Sequence, residues 1–212
     1  MILIPSALIS TSFFPALSLA FKESKERLKK AWDYFLESMI FLALPIVVGD
    51  ITLAPRIIDW IYDPSYFPSI LAFQILILTA GISFLSSPFG QILVVANQQK
   101  KLFYITLSGA IINVILNAIL IPKYSLYGAA ATTVVTLLLI FFLLFKFTTK
   151  FTSIQPFNLK FLFSFLGAGL SSLVMYFVIS QPQIYYLNVI LSVLIGAGVY
   201  LISFLVYICI KV

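Results

Sequence analysis

The chain has 212 residues, of which 62% are hydrophobic and 9% charged, and its mean hydropathy is +1.12. Soluble domains carry about a quarter charged residues, so a soluble enzyme, a nucleic-acid reader and a disordered tail are excluded. A small outer-membrane barrel is excluded too, because its strands would alternate polar and apolar residues and the apolar runs here are continuous. With no histidine in the sequence, imidazole bases and histidine-bound metals are absent. The single cysteine, Cys209, has no internal partner for a disulfide. The net charge of +6 does not read as a nucleic-acid surface. Every acid lies at or before Asp63, and beyond it the charges are the lysines 100, 101, 123, 146, 150, 160 and 211, separated by apolar runs.

A helix needs about 20 apolar residues to cross the hydrocarbon core. The first expected span runs from Ile2 to Ala20, uncharged, with Pro5 and Pro15 inside it. Lys22–Glu37 follows as a charged segment. Glu23 with Arg27 and Glu26 with Lys30 stand at the favourable four-residue spacing, and Leu28, Ala31, Trp32 and Phe35 form an apolar stripe. This segment predicts an amphipathic helix on the inner leaflet, either holding anionic lipid or serving as a plain positive-inside anchor. The second span is Met39–Ala54, with Pro45 as a possible kink and Asp50 near its end.

Arg56 to Pro68 mixes Trp60, Tyr62, Tyr66 and Phe67 with Asp59 and Asp63, an interfacial composition. The third span is Pro68–Ala96, the fourth Leu102–Ile121, and the fifth Leu126–Phe145. The uncharged stretch Phe161–Ile210 is too long for one helix, and Gln181-Pro182-Gln183 divides it into a sixth span, Phe161–Ser180, and a seventh, Tyr185–Ile210.

The connections between these seven spans carry basic residues unevenly. Five, two, three and one fall on one side and one, one and none on the other. Positive charge favours the cytoplasm, so the N-terminus is expected outside and the C-terminus inside. A first span that starts outside at residue 2 predicts the later part of a longer membrane protein.

Some residues ask for more than hydrophobicity. Asp50 is the only acid within a predicted span, which makes it a candidate for proton or ion coupling; the alternative is a carboxylate that reaches interfacial water or Arg56. Ser6 and Ser10 share a face of the first span, and Asn113 and Asn117 share a face of the fourth. Such groups either line a hydrophilic cavity or bond across helices. The small residues Gly128-Ala129-Ala130-Ala131 open the fifth span and allow close helix approach.

Asn113-x-x-x-Asn117-x-x-x-Ile121-Pro122, a short turn and Gly128-Ala129-Ala130-x-Thr132 resemble the signature of polysaccharide-exporter flippases of the O-antigen type. These belong to the superfamily that includes the multidrug-and-toxin-extrusion pumps. Phe14-Pro15-x-x-Ser18, Ile61-Tyr62-Asp63-x-x-Tyr66 and Ala96-Asn97 before Lys100 follow that family's order. Two features depart from its pattern. Tyr124-Ser125 stands where Tyr-Gly is usual, and no Arg or Lys lies within the first span.

The resemblance implies an all-α polytopic membrane bundle corresponding to the second half of that fold. Residues 1–147 would form a partial C-terminal lobe of five transmembrane helices, with the amphipathic segment at 21–37. Residues 148–212 would form a cytoplasmic linker and an additional helix pair, with the lipid tail as a contact for that pair. The implied function is flipping of a polyprenyl-diphosphate-linked oligosaccharide by alternating access, with no cofactor, metal or catalytic residue. Ser6, Ser10, Asn113 and Asn117 are the expected cavity-lining residues and Asp50 the coupling candidate. Membrane lipids and the first half of the transporter are the expected partners. Alternatives are a drug/cation antiporter of the same fold, a membrane-embedded glycan polymerase or ligase, and an inactive truncated fragment. The short external connections and absent histidine argue against the enzyme reading.

Overall fold

The computed structural model describes residues 4–152, 159–185 and 187–211, apart from the side chains of 4–7, 159, 160, 185, 207, 210 and 211. Everything regular among them is helical: α1 (Ile4–Glu23), α2 (Lys25–Ile61), a 3-10 turn at Pro64–Tyr66, α3 (Ser69–Val95), α4 (Gln99–Thr152), α5 (Leu159–Ile179), the single turn α6 (Pro182–Tyr185) and α7 (Val189–Lys211).

The sequence supplies the punctuation. Ser24 is extended, and its Oγ accepts from the Arg27 N–H at 3.2 Å, which caps α2 and separates it from α1. Asn97 takes a left-handed φ of 56° beyond the end of α3. The Gln98 N–H donates to the Leu93 carbonyl and the Asn97 N–H to that of Val94, the two bonds of a Schellman ending. At the start of α7, Asn188 Oδ1 accepts from the Ile190 N–H at 3.0 Å.

The 54 residues of α4 are two helices, because Ser125 at φ 49°, ψ −125° breaks the run. The arms 99–124 and 126–152 fold back as an antiparallel hairpin. Asn113 Nδ2 reaches Thr136 Oγ1 at 3.2 Å, Gly109 faces Ile140, and Gly128 faces the Leu120 carbonyl, pairings centred on the turn. The Ser125 conformation is one that glycine adopts freely and other residues enter at a cost of about 1–3 kcal/mol. Ser125→Gly is therefore expected to stabilise the chain by about 1 kcal/mol net of glycine's own entropy cost, read as a higher melting temperature in detergent. An unchanged or lowered melting temperature would remove the strain from this account.

In the packing, α3 lies between α2 and the α4 hairpin, α1 covers α2 and α3, and α5 and α7 pack on the other side of α2. The main core joins Trp32, Phe35 and Met39 of α2 to Leu17 of α1, Phe84 and Ile92 of α3 and Leu144 of α4. A second cluster joins Leu53 of α2 to Met175 and Ile179 of α5 and Tyr200 of α7.

Five helices, α2, α3, α4, α5 and α7, are long and apolar enough to cross a membrane. Taking the two arms of α4 separately gives six of the seven expected crossings, and α1, 20 uninterrupted helical residues, stands where the first was expected. Outward-facing Leu, Ile and Phe cover much of the bundle, as a lipid solvent requires.

The charged segment after α1 differs from its expectation. It does not lie apart from the second span: α2 runs unbroken through Pro45 and Pro55 from Lys25 to Ile61. At 1.5 Å per residue it is about 55 Å long, so its basic first turns project past a hydrocarbon layer of about 30 Å. The apolar stripe is buried by protein, since Leu28, Trp32 and Phe35 enter the core with α1 and α3. Glu23 pairs with Arg27 at 2.6 Å as the spacing predicts, whereas Glu26 and Lys30 form no ion pair among the described residues and Lys29 pairs with Asp33 at 3.1 Å.

Antiparallel packing collects the lysines. Trp32 Nε1 donates to the Pro88 carbonyl, Thr148 Oγ1 to that of Phe89, and Lys101 Nζ lies over the Phe151 ring, so the start of α2, the end of α3 and both ends of the hairpin share one end of the bundle. At the opposite end Tyr127 Oη donates to the Pro68 carbonyl, and Arg56 donates to Ser192 Oγ and the Leu187 carbonyl.

Candidate functional site

A groove of about 350 Å³ opens between α1, α3 and the α4 hairpin. Its polar wall comes from Ser10 of α1 and from Ser83, Ser86, Ser87 and Gln91 of α3; Ile140 and Leu144 close the apolar side. The α3 residues recur at three- and four-residue steps, which sets them on one helical face. Ser10 and Ser87 hydrogen-bond to each other across the helices, and Ser10 is buried. Ser83 and Ser86 donate to carbonyls of their own helix, at Thr79 and Ile82, which leaves oxygen lone pairs for the groove. The Gln91 side chain makes no hydrogen bond among the described residues. Gly90 adds no side chain to this wall, and a Cβ there would meet open space. The groove is thus a strip of hydroxyls and one amide inside an apolar bundle, suited to a neutral polyhydroxyl ligand.

Of the four expected lining residues, the structure places Ser10 in this wall. Ser6 lies on α1, with its side chain outside the described residues. Asn113 and Asn117 occupy the hairpin interior and are not part of the groove wall. Asn117 Nδ2 donates to Asn113 Oδ1 at 2.9 Å, and Asn113 donates onward to the buried Thr136 hydroxyl. The Asn117 Oδ1 at the end of this string is buried with no donor among the described residues. An unpartnered amide oxygen in such surroundings is costly, and it marks a place for a donor from elsewhere.

Asp50 stands apart from all of these. It lines a second cleft, between α2, α5 and α7, and Arg56 turns away from it to α7. The expected contact between Asp50 and Arg56 is not made; six residues put Arg56 about 9 Å farther along the helix, where the α7 start offers it a carbonyl and a hydroxyl.

Sequence reasoning overlooked Ser83, Ser86, Ser87 and Gln91. Their signal was the polar face itself, four polar side chains on one side of the second half of a largely apolar span. Among the described residues no group of three or more His, Cys, Asp or Glu side chains could hold a metal ion.

The sequence matches no family model and no curated protein. Among solved structures the fold is similar to that of the lipid II flippase MurJ in an inward closed conformation, with a TM-score of 0.75 at 23% identity. The match covers 99% of this chain and 44% of that one, so the chain spans less than half the length of the transporter it resembles. The chain is an all-α membrane-helix bundle with the fold of that part of a flippase.

Proposed function

We propose that the chain is the C-terminal part of a transporter that flips a lipid-linked oligosaccharide across the cytoplasmic membrane by alternating access. The observation that carries this reading is the serine-and-glutamine groove. Sugars and diphosphate cannot enter hydrocarbon unaided, because each unpaired polar group costs several kcal/mol there. A hydroxyl- and amide-lined wall supplies replacement hydrogen bonds while the polyprenyl tail stays in lipid.

In the proposed cycle α1, α3 and the α4 hairpin form one wall of a central cavity, and a lobe outside this chain forms the other. Rocking of the two lobes exposes the cavity first inward and then outward. The lysine-rich end of the bundle faces the cytoplasm, which puts the start of α1 outside and the end of α7 inside. The extra pair α5 and α7 flanks the lobe. No basic residue lines the groove, so the charge that meets the diphosphate comes from outside this chain. Similarity of fold to a lipid II flippase supports a lipid-linked substrate, and the motifs at Asn113–Thr132 favour a polysaccharide repeat unit. A drug antiporter would need an acid in the cavity wall, and the groove has none.

The test is glycan export by the intact transporter carrying Gln91→Leu or Asn117→Leu. Gln91→Leu withdraws an amide that can offer a substrate one or two hydrogen bonds of about 0.5–1.5 kcal/mol apiece, and Asn117→Leu breaks the bond to Asn113, so export is expected to fall about tenfold at equal expression. Unchanged export with Gln91→Leu would take the groove out of the translocation path; unchanged export with Asn117→Leu would leave that residue a purely structural part of the hairpin.

A further inference from the structure

Pro45 and Pro55 stand inside α2, and each removes one helix hydrogen bond. Proline has no N–H, so the carbonyl four residues earlier loses its donor, and the ring crowds that carbonyl as well. The two carbonyls are those of Phe41 and Ile51. Both belong to the apolar stretch of the helix, where hydrocarbon offers no water in place of the lost donor.

Side chains of other helices take both carbonyls. The Tyr200 hydroxyl of α7 donates to Phe41 at 2.7 Å, and Gln74 Nε2 of α3 donates to Ile51 at 3.1 Å. Tyr200 is buried, and its ring lies 5.2 Å from that of Phe41.

Pro45 also sits where the packing of α2 changes. The buried residues of α2 run from Leu28 to Ala43 in the main core and resume at Leu53, a member of the second cluster, with none from 44 to 52. Among the described residues α5 and α7 contribute one buried residue, Ala168, to the main core. Beside the stretch 44–52 lies the cleft between α2, α5 and α7, about 290 Å³, whose walls include Pro45 and Gly49. On the opposite side Val47 meets Gly81 of α3 so closely that a Cβ on the glycine would come within 2.9 Å of it. The helix therefore has room to bend toward α5 and α7 and none toward α3.

The two bonds cross this boundary in opposite senses. Tyr200 belongs to the second cluster and holds a carbonyl before Pro45, whereas Gln74 comes from α3 and holds a carbonyl beyond it. In lipid, apolar burial does not drive helices together, so close packing and polar ties of this kind decide how firmly they stay in place.

We propose that α2 is a joint at Pro45 between the main core and the α5–α7 pair, held closed by the bonds from Tyr200 to Phe41 and from Gln74 to Ile51. With either bond withdrawn, α2 bends at Pro45 into the cleft and the pair changes its angle to the rest of the bundle. The device belongs to the fold and does not depend on the flippase reading.

The test uses the full 212-residue chain in detergent micelles, with nitroxide labels at Lys146→Cys and Leu205→Cys, both exposed, and with the exposed Cys209 replaced by serine. The labels report the α4 hairpin and α7, with α3 and α2 between them, so at helix spacings of 8–10 Å they stand up to about 30 Å apart. Pulsed electron paramagnetic resonance should give one narrow distance distribution for this background. Tyr200→Phe keeps the ring and removes the donor, and Gln74→Leu removes the other; each should broaden the distribution by several ångströms. Adding Pro45→Ala should remove either broadening, because an alanine N–H at that position closes the helix on the Phe41 carbonyl and stiffens the joint. Adding Pro55→Ala to Tyr200→Phe should leave the broadening in place. An unchanged distribution in Tyr200→Phe, a broadening that persists with Pro45→Ala, or one that Pro55→Ala removes equally well would each overturn the proposal. Should Tyr200→Phe alone yield no folded chain by circular dichroism, Pro45→Ala is expected to restore it, and failure to do so overturns the proposal too.

Discussion

Gly128→Leu is expected to prevent the α4 hairpin from closing and to leave little folded chain. A Cβ at Gly128 would lie 2.5 Å from the Leu120 carbonyl oxygen and 2.8 Å from its carbon. Both are backbone atoms of the other arm, which cannot swing aside as a side chain end can. Relief requires the two arms to separate, and the pairings of Asn113 with Thr136 and Gly109 with Ile140 go with them. Overpacking a core typically costs about 1–3 kcal/mol, and a clash against backbone falls at or beyond the top of that range. The measurement is the monodisperse fraction and melting temperature of the purified chain. Gly90→Ala is the control, because a Cβ there meets nothing within 4 Å, and it should behave as the unaltered protein does. Equal melting of the Gly128 variant and the control would refute the close approach.

The hairpin also shows how far the sequence reaches. Pro122 and the run Gly128-Ala129-Ala130 announce a turn and a close contact, and continuous apolar runs announce two spans. Local chemistry of this kind stays legible because it depends on residues near one another in the chain. The same holds for the Asn97 ending of α3 and the Ser24 cap of α2. The lysine pattern is legible for a different reason: antiparallel helices of similar length bring alternate connections to one end, whatever their packing.

What the sequence withholds is which faces meet. Asn113 and Asn117 share a helical face, but nothing in their spacing says that this face looks into the hairpin and not into a cavity. The string through Thr136 depends on a residue 23 positions away. Asp50 and Arg56 are near in sequence, but the partner of Arg56 lies 136 residues on, at Ser192. The groove wall could have been read from Ser83, Ser86, Ser87 and Gln91, whose helical spacing is explicit.

Trp32→Ala is the second substitution expected to have a large effect, and it separates two placements of the basic segment. Were residues 22–37 a helix resting on the leaflet, Trp32 would dip into lipid, and its loss would weaken membrane attachment without unfolding the bundle. In the structure Trp32 is fully buried, its Nε1 donates to the Pro88 carbonyl at 3.2 Å, and its ring meets Phe89 edge-on at 5.3 Å. Phe89 in turn contacts Phe141 and Phe145 of the hairpin, so one indole ties α2 to α3 and, through α3, to α4. Truncating such a residue costs about 3–5 kcal/mol, which lowers the melting temperature by roughly 6–20 °C in a chain of this size. Trp32→Phe keeps most of the buried area and loses mainly the hydrogen bond, about 1 kcal/mol. Thermal unfolding followed by circular dichroism should therefore order the proteins as unaltered, Phe, then Ala, with the larger step at Ala. If both variants melt with the unaltered chain and the only change is weaker membrane attachment of the segment, α2 does not continue the second span as one packed helix.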